Sequence, residues 1–177
     1  MKTRELSTVV SSFEKIKNLA ESHCRTLQDG SKPVVIVGTA TCGRAAGALE
    51  VLQALRDEVK KHNLDCPVIE VGCMGHCYAE PLVIISKPGF PPICYGHVNP
   101  VIAERLIREF ILGDNPCFEF VLGALEENDL IPSFSDFPRA KYEKKIILKN
   151  CGQIDPENIA HYFANGGYAA LAKVLQM

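Results

Sequence analysis

The run Val34-Val35-Ile36-Val37, set between Pro33 and Gly38, leaves a folding chain few choices. It is short, β-branched throughout and apolar on both faces, so it belongs inside a sheet that is covered on both sides. The turn Thr39-Ala40-Thr41-Cys42-Gly43 follows it. A helix from about Arg44 to His62 comes next, with Ala45, Ala48, Leu49, Leu52, Leu55 and Val59 along one face. Cys66-Pro67-Val68-Ile69-Glu70-Val71 reads as the second strand, with proline near its start, where the sheet tolerates it. Leu82–Ile85 is the third strand. Ile93-Cys94-Tyr95-Gly96 is a short fourth, forming an antiparallel hairpin with the third. Asn99-Pro100 supplies an N-cap and a first-turn proline for a helix through Ile111.

An amphipathic helix over residues 5–27 precedes all of this, with Leu6, Val9, Val10, Phe13, Ile16 and Leu19 at helical spacing. Past residue 112 the periodicity fades and Pro, Asp, Ser and Phe accumulate. The pattern predicts a short extended segment at Cys117–Leu122, a linker, a strand at Lys144–Asn150, a helix opened by Asp155-Pro156 and broken at Gly166-Gly167, and a last helix from Tyr168. The expected organisation is an N-terminal helix (1–30), an α/β sandwich with a mixed sheet (31–113), a linker (114–141) and a short α/β C-terminal segment (142–177).

Apolar residues make up 47% of the 177, enough for a core, and the net charge is −2. With no basic block, binding to nucleic acid or to an anionic membrane surface is not expected. No run has the length of a membrane span, so no direct membrane insertion is expected either. The N-terminus has no apolar signal core. Eight cysteines in such a chain point to thiols or metal ligands and not to structural disulfides, and a cytoplasmic location is expected.

Three of those cysteines form the one constellation with chemical meaning. Cys42 follows the first strand; Cys73 and Cys77 lie in Gly72-Cys73-Met74-Gly75-His76-Cys77, after the second. Loops that leave a parallel pair of strands emerge at one sheet end, so the three sulfurs can converge. Cys42 also stands at a helix N-terminus, where the macrodipole favours a thiolate. Gly72 and Gly75 let backbone N–H groups come close to sulfur. Residue types alone leave open a [2Fe–2S] cluster, a zinc ion held by Cys42, Cys73, Cys77 and His76, a redox disulfide, or an empty site whose cysteines only pack. The turn 38–43 lacks the Gly-Lys-Ser/Thr ending of a phosphate loop. Ser/His/Asp catalysis has no support in the sequence.

The residues carry more than spacing. Gly38-Thr39-x-x-Cys42-Gly43 with Ala45-Ala46-Gly47-Ala48, then Gly72-Cys73-x-Gly75-x-Cys77-x-x-Glu80-Pro81-Leu82-Val83, then Tyr95-Gly96-x-Val98, resembles the thioredoxin-like [2Fe–2S] ferredoxin family. The nearest likeness is to the N-terminal extension of NADH-oxidising flavoprotein subunits, as in NAD-linked hydrogenases, formate dehydrogenases and relatives of complex I. Ile146-x-Leu148-x-Asn150-Cys151-Gly152-x-Ile154-Asp155-Pro156-Glu157, with Tyr162, Gly166-Gly167-Tyr168 and Ala170-Leu171, looks like the opening of the flavin-binding core of the 51 kDa-type complex I subunit.

The resemblance implies a thioredoxin-like fold and a [2Fe–2S] site held by Cys42, Cys73 and Cys77. The family's remaining thiolate, five positions before Cys42, is replaced here by Val37; Cys94 or His76 would be the substitutes. It also implies that residues 142–177 are the truncated start of a flavoprotein core. FMN, NAD and a [4Fe–4S] cluster would then be held only by downstream segments, and this chain would not be catalytic alone. Expected partners are other subunits of an NADH-linked oxidoreductase complex, including a small ferredoxin-like subunit; a homodimer is compatible with the same reading. The role would be electron relay. The alternative is a redox-inactive module that holds partner subunits together.

Overall fold

The computed structural model describes residues 2–28, 30–136 and 140–177. Gly30–Gln153 form one compact unit; α1 (Lys2–Gln28) and Ile154–Met177 form the other.

The first unit carries a five-stranded mixed sheet of order β2-β1-β3-β4-β5. β1 (Val34–Gly38) is interior, as its uninterrupted apolar run requires. It runs parallel to β2 (Val68–Val71), from Val35 opposite Val68 to Gly38 opposite Val71. On its other side β3 (Val83–Ser86) is antiparallel, with Val37 opposite Val83. β4 (Ile93–Tyr95) is antiparallel to β3, and β5 (Val121–Ala124) to β4. This is the thioredoxin-like α/β sandwich that the sequence implies.

Side chains alternate between the two faces. Val35, Val37, Val83, Ile85, Ile93 and Tyr95 face Val51, Leu52 and Leu55 of α3 (Ala48–Lys61) and Leu106, Ile107 and Phe110. Ile36, Ile84 and Cys94 belong to a second cluster with Val71, Met74, Leu82 and Phe134. Each fully buried aliphatic side chain here contributes about 1.5–3 kcal/mol.

The helix expected over 44–62 is two helices, α2 (Thr41–Ala45) and α3. Gly47 between them has φ 99°, a left-handed turn that no continuous helix contains. The Asn99 cap is formed: its Oδ1 accepts the Ile102 N–H at 3.0 Å and opens α4 (Pro100–Arg105). The helix then widens into a π turn over Leu106–Ile111, where the Leu112 N–H reaches the Ile107 carbonyl, five residues back, at 3.1 Å.

Beyond residue 113 the structure corrects the sequence reading. The extended segment expected at Cys117–Leu122 is a 3-10 turn over Phe118–Phe120 that leads into β5, and the stretch assigned to a linker around it, 114–141, packs Ile131 and Phe134 onto the two core clusters. The strand expected at Lys144–Asn150 is absent: residues 146–150 are bends and turns, because no sheet edge receives them. The boundary expected at 142 lies later, since residues up to Gln153 cluster with the sheet.

In the helical unit, α1 packs on α5 (Ile159–Ala164), with the Phe13 and Phe163 rings 5.8 Å apart. Phe163 also meets Tyr168, at the start of α6 (Ala169–Val174). α5 opens at Asn158, whose Oδ1 takes the Ala160 N–H at 2.9 Å, and not at Asp155 as expected. Several apolar positions of the C-terminal stretch stay open: Ile147 is 94% exposed, Ile146 73% and Ile159 59%.

His161 is buried, and its Nδ1 accepts the Asp155 N–H at 2.9 Å. Burial holds the imidazole below its usual value of 6.5; Asp155 opposes this and His23 adds to it. A ring kept neutral by folding contributes stability that is present above 6.5 and is lost as pH falls through the depressed value. The helical unit is therefore expected to loosen as pH falls below 6.5. An NMR titration of the His161 ring checks this; a midpoint above 6.5 would refute it.

Candidate metal centre

The flush ends of β1 and β2 position the site. Gly38 lies opposite Val71, and the Thr39 N–H bonds the Val71 carbonyl at 3.0 Å, so the two outgoing turns start side by side. Cys42 comes four residues after Gly38 and Cys73 two after Val71. Two further bonds pin the second turn: the His97 N–H to the Ala79 carbonyl at 2.7 Å and the Val98 N–H to the Pro81 carbonyl at 3.1 Å. The Glu80–Pro81 peptide is cis.

Cys42, Cys73 and Cys77 are brought together. Cys42 Sγ lies 3.7 Å from Cys73 Sγ, which lies 3.5 Å from Cys77 Sγ, and all three fall within 4.8 Å of one another. A metal–thiolate bond of ~2.3 Å gives a tetrahedron with an edge of about 3.8 Å, close to the two shorter separations. The Gly75 N–H donates to Cys73 Sγ at 3.3 Å, the backbone contact that the glycines were expected to permit. Gly75 has φ 98°, which a side chain would strain. Cys42 and Cys73 are half-buried and Cys77 is exposed, so the group has one open side.

The thiol of Cys42 is pushed up to about 12, first by burial and then by hydrogen bonds with Cys77 and Cys73. The sequence reading expected the helix terminus to lower it. α2 is only five residues long, and burial among neighbouring thiols outweighs so short a dipole. A bound cation would reverse that balance.

The remaining cysteines stand outside this group, and all eight are free. No protein-family model matches the chain. Over 111 residues it is 34% identical to the NADP-reducing hydrogenase subunit HndB of Solidesulfovibrio fructosivorans, covering 62% of this chain and 88% of that subunit. The chain belongs to the HndB family. Two solved structures of a thioredoxin-like [2Fe–2S] ferredoxin from Aquifex aeolicus are also similar. One has a TM-score of 0.45 and 20% identity over 51% of this chain and 96% of the ferredoxin. The other has 0.48 and 19% over 54% and 94%.

This HndB-family chain does not place its other candidate donors at the site. Val37 is fully buried in the main core. Cys94 is buried in β4, its thiol pushed up to about 12 by burial. His76 is buried, its ring 4.4 Å from that of Phe134 and its Nδ1 3.3 Å from the Tyr78 hydroxyl. Neither His76 nor Cys94 joins the group of three sulfurs.

Two features went unassigned in the sequence. Lys145 donates to the Met74 carbonyl at 2.9 Å, and Gly152 approaches Met74 so closely that a Cβ there would lie 3.1 Å from its Cγ. Residues 143–152 thus flank the cysteine turn. The other is Glu80, which is only 7% exposed. Its Oε2 accepts the Leu82 N–H at 2.9 Å, and its Oε1 lies 3.7 Å from Cys42 Sγ. Burial raises its pKa, while the bonds from Leu82 and Cys42 oppose the rise. The signal was an acid at the mouth of an apolar strand, Glu80-Pro81-Leu82-Val83.

Proposed function

We propose that this chain is an electron-transfer module of an NADH-linked oxidoreductase complex, with Cys42, Cys73 and Cys77 holding an iron–sulfur centre. The observation that carries the reading is the convergence of three sulfurs from two separate turns at one sheet end. The donor set is soft thiolate, and three of the four thiolates that a [2Fe–2S] cluster commonly takes are in place. The hydrogenase subunit that defines the family supports a place among the subunits of such a complex.

A bound centre of this kind would supply one-electron carriage. The chain's own residues would set its environment. The Gly75 N–H withdraws charge from Cys73 Sγ and so favours the reduced state. The open side at Cys77 is where a redox partner, a small ferredoxin-like subunit among the candidates, would approach. Residues 142–177 carry the signature that resembles the opening of a flavoprotein core, and at its start Lys145 bonds the Met74 carbonyl of the cysteine turn. FMN, NAD and a [4Fe–4S] cluster would be held by that core. No helix among the described residues is long and apolar enough to cross a membrane; the proposed location is the cytoplasm.

A single tetrahedral ion is the second reading, favoured by the mutual 4.8 Å limit of the sulfurs. Anaerobic purification, elemental analysis and acid-labile sulfide distinguish the two. The electron-transfer reading expects about two irons and two sulfides per chain and an EPR signal on reduction. Zinc without sulfide would establish the single ion. A chain that takes up neither after reconstitution would be a redox-inactive docking element.

A further inference from the structure

We propose that the Glu80 carboxylate is the fourth donor of the iron–sulfur centre, serving where Val37 leaves no thiolate. The inference rests on the electron-transfer reading above.

Four observations carry it. Glu80 Oε1 is the carboxylate oxygen that reaches the cysteine group, 3.7 Å from Cys42 Sγ. The side chain occupies a cradle made by two glycines of the first turn. A Cβ on Gly38 would lie 3.5 Å from either carboxylate oxygen, and one on Gly43 would lie 3.2 Å from Oε2. Among the described residues its partners are one backbone N–H and one thiol, and no Lys or Arg pairs with it. A carboxylate kept this far from water without a cation is costly, and a metal centre beside it removes the cost.

The fourth observation is the pairing of donors. Cys73 and Cys77 are 3.5 Å apart, and Cys42 and Glu80 are 3.7 Å apart. Each pair is near the separation of two donors on one tetrahedral ion, about 3.8 Å for thiolates. Glu80 is not within 4.8 Å of all three sulfurs, so it does not complete a single-ion site with them as they stand. Two donor pairs suit a two-iron centre, one pair to each iron, provided that Cys42, which stands 3.7 Å from Cys73, moves away from it as the irons enter. Glu80 would then give this centre one hard oxygen donor among three soft sulfurs, which separates its two irons chemically.

A buried strut that only accepts the Leu82 N–H would show the same hydrogen bond. Glu80→Gln keeps that acceptor and the volume but removes the anionic oxygen. The full chain, its Glu80→Gln variant and its Glu80→Cys variant are each reconstituted anaerobically with iron and sulfide. The proposal expects Glu80→Gln to retain less than about one-tenth of the iron of the parent chain, with its metal-free melting curve unchanged. It expects Glu80→Cys to retain iron, with visible absorption and EPR g values shifted from those of the parent. Mössbauer spectra of the parent chain should show two inequivalent irons in the oxidised state. Should the Gln variant fail to fold, equivalent thiolate-type irons in the parent alone would overturn the proposal. Full iron with unchanged spectra in Glu80→Gln would overturn it and leave the electron-transfer reading standing. A parent chain that takes up no iron would refute both.

Discussion

Cys73→Ser is expected to abolish metal retention while leaving the metal-free fold intact. Cys73 is the sulfur common to both short separations, 3.7 Å to Cys42 and 3.5 Å to Cys77, and it alone receives the Gly75 N–H. Losing an outer hydrogen bond typically costs a site about 10–100-fold in affinity, so losing a ligand outright should cost more than about 100-fold. Cys73 is half-buried at a turn, and serine is nearly isosteric, so the metal-free chain should change by less than about 1 kcal/mol. Melting curves with and without metal separate the two effects. Ligand at one hundred times its dissociation constant stabilises a protein by about 2.7 kcal/mol, and that increment should vanish in the variant. Cys94→Ser is the control: it should lower stability, because the thiol is buried in β4, but retain metal. Equal metal content in parent and Cys73→Ser would remove Cys73 from the site.

The sheet was readable because its strands have uniform, local signatures. Val34–Val37 and Val83–Ile85 are β-branched runs that suit only an interior position, and both are there. The convergence of Cys42 with Cys73 and Cys77 followed from a rule about parallel strands and not from the cysteines themselves. β5 is legible only in part, through the extended segment expected at Cys117–Leu122, because Val121-Leu122-Gly123-Ala124 is short and weakly β-forming. Its glycine is needed because the backbone of Phe134 passes within 2.9 Å of where a Cβ would sit, a contact set by tertiary structure. The opposite error, a strand at Lys144–Asn150, came from apolar pattern alone; Ile146 and Ile147 are exposed and find no partner strand. Asp155-Pro156 carries a good start signal, yet Asn158 caps the helix and the Asp155 N–H goes to His161 instead. Glu80 was present in the motif without a role, since its burial depends on Gly38 and Gly43 in a turn some forty residues earlier.

Gly43→Ala is expected to destabilise the sheet unit and to displace the site together. Within a helix, glycine to alanine ordinarily gains about 1 kcal/mol, and it also narrows the unfolded ensemble. Gly43 lies within α2, so propensity alone predicts stabilisation. Geometry reverses the sign. A Cβ at 43 would lie 2.2 Å from the Gly38 carbonyl oxygen, 3.1 Å from its carbon and 3.2 Å from Glu80 Oε2. The first of these is backbone at the end of β1, hydrogen-bonded into the sheet through the Gly38 N–H to the Leu82 carbonyl, so it yields only by moving the strand end. Overpacking of this kind costs roughly 1–3 kcal/mol, enough to exceed the propensity gain. Because Cys42 is the adjacent residue, the shift that relieves the clash also moves its sulfur away from Cys73 and loosens the Glu80 cradle. Gly72→Ala provides the comparison: nothing lies within 4 Å of a Cβ there, and the change should stay within about 0.5 kcal/mol with metal retained. Urea unfolding and metal content of the two variants decide the matter. Equal midpoints and equal metal in Gly43→Ala and Gly72→Ala would mean that the close approach of the first turn to β1 does not hold the site.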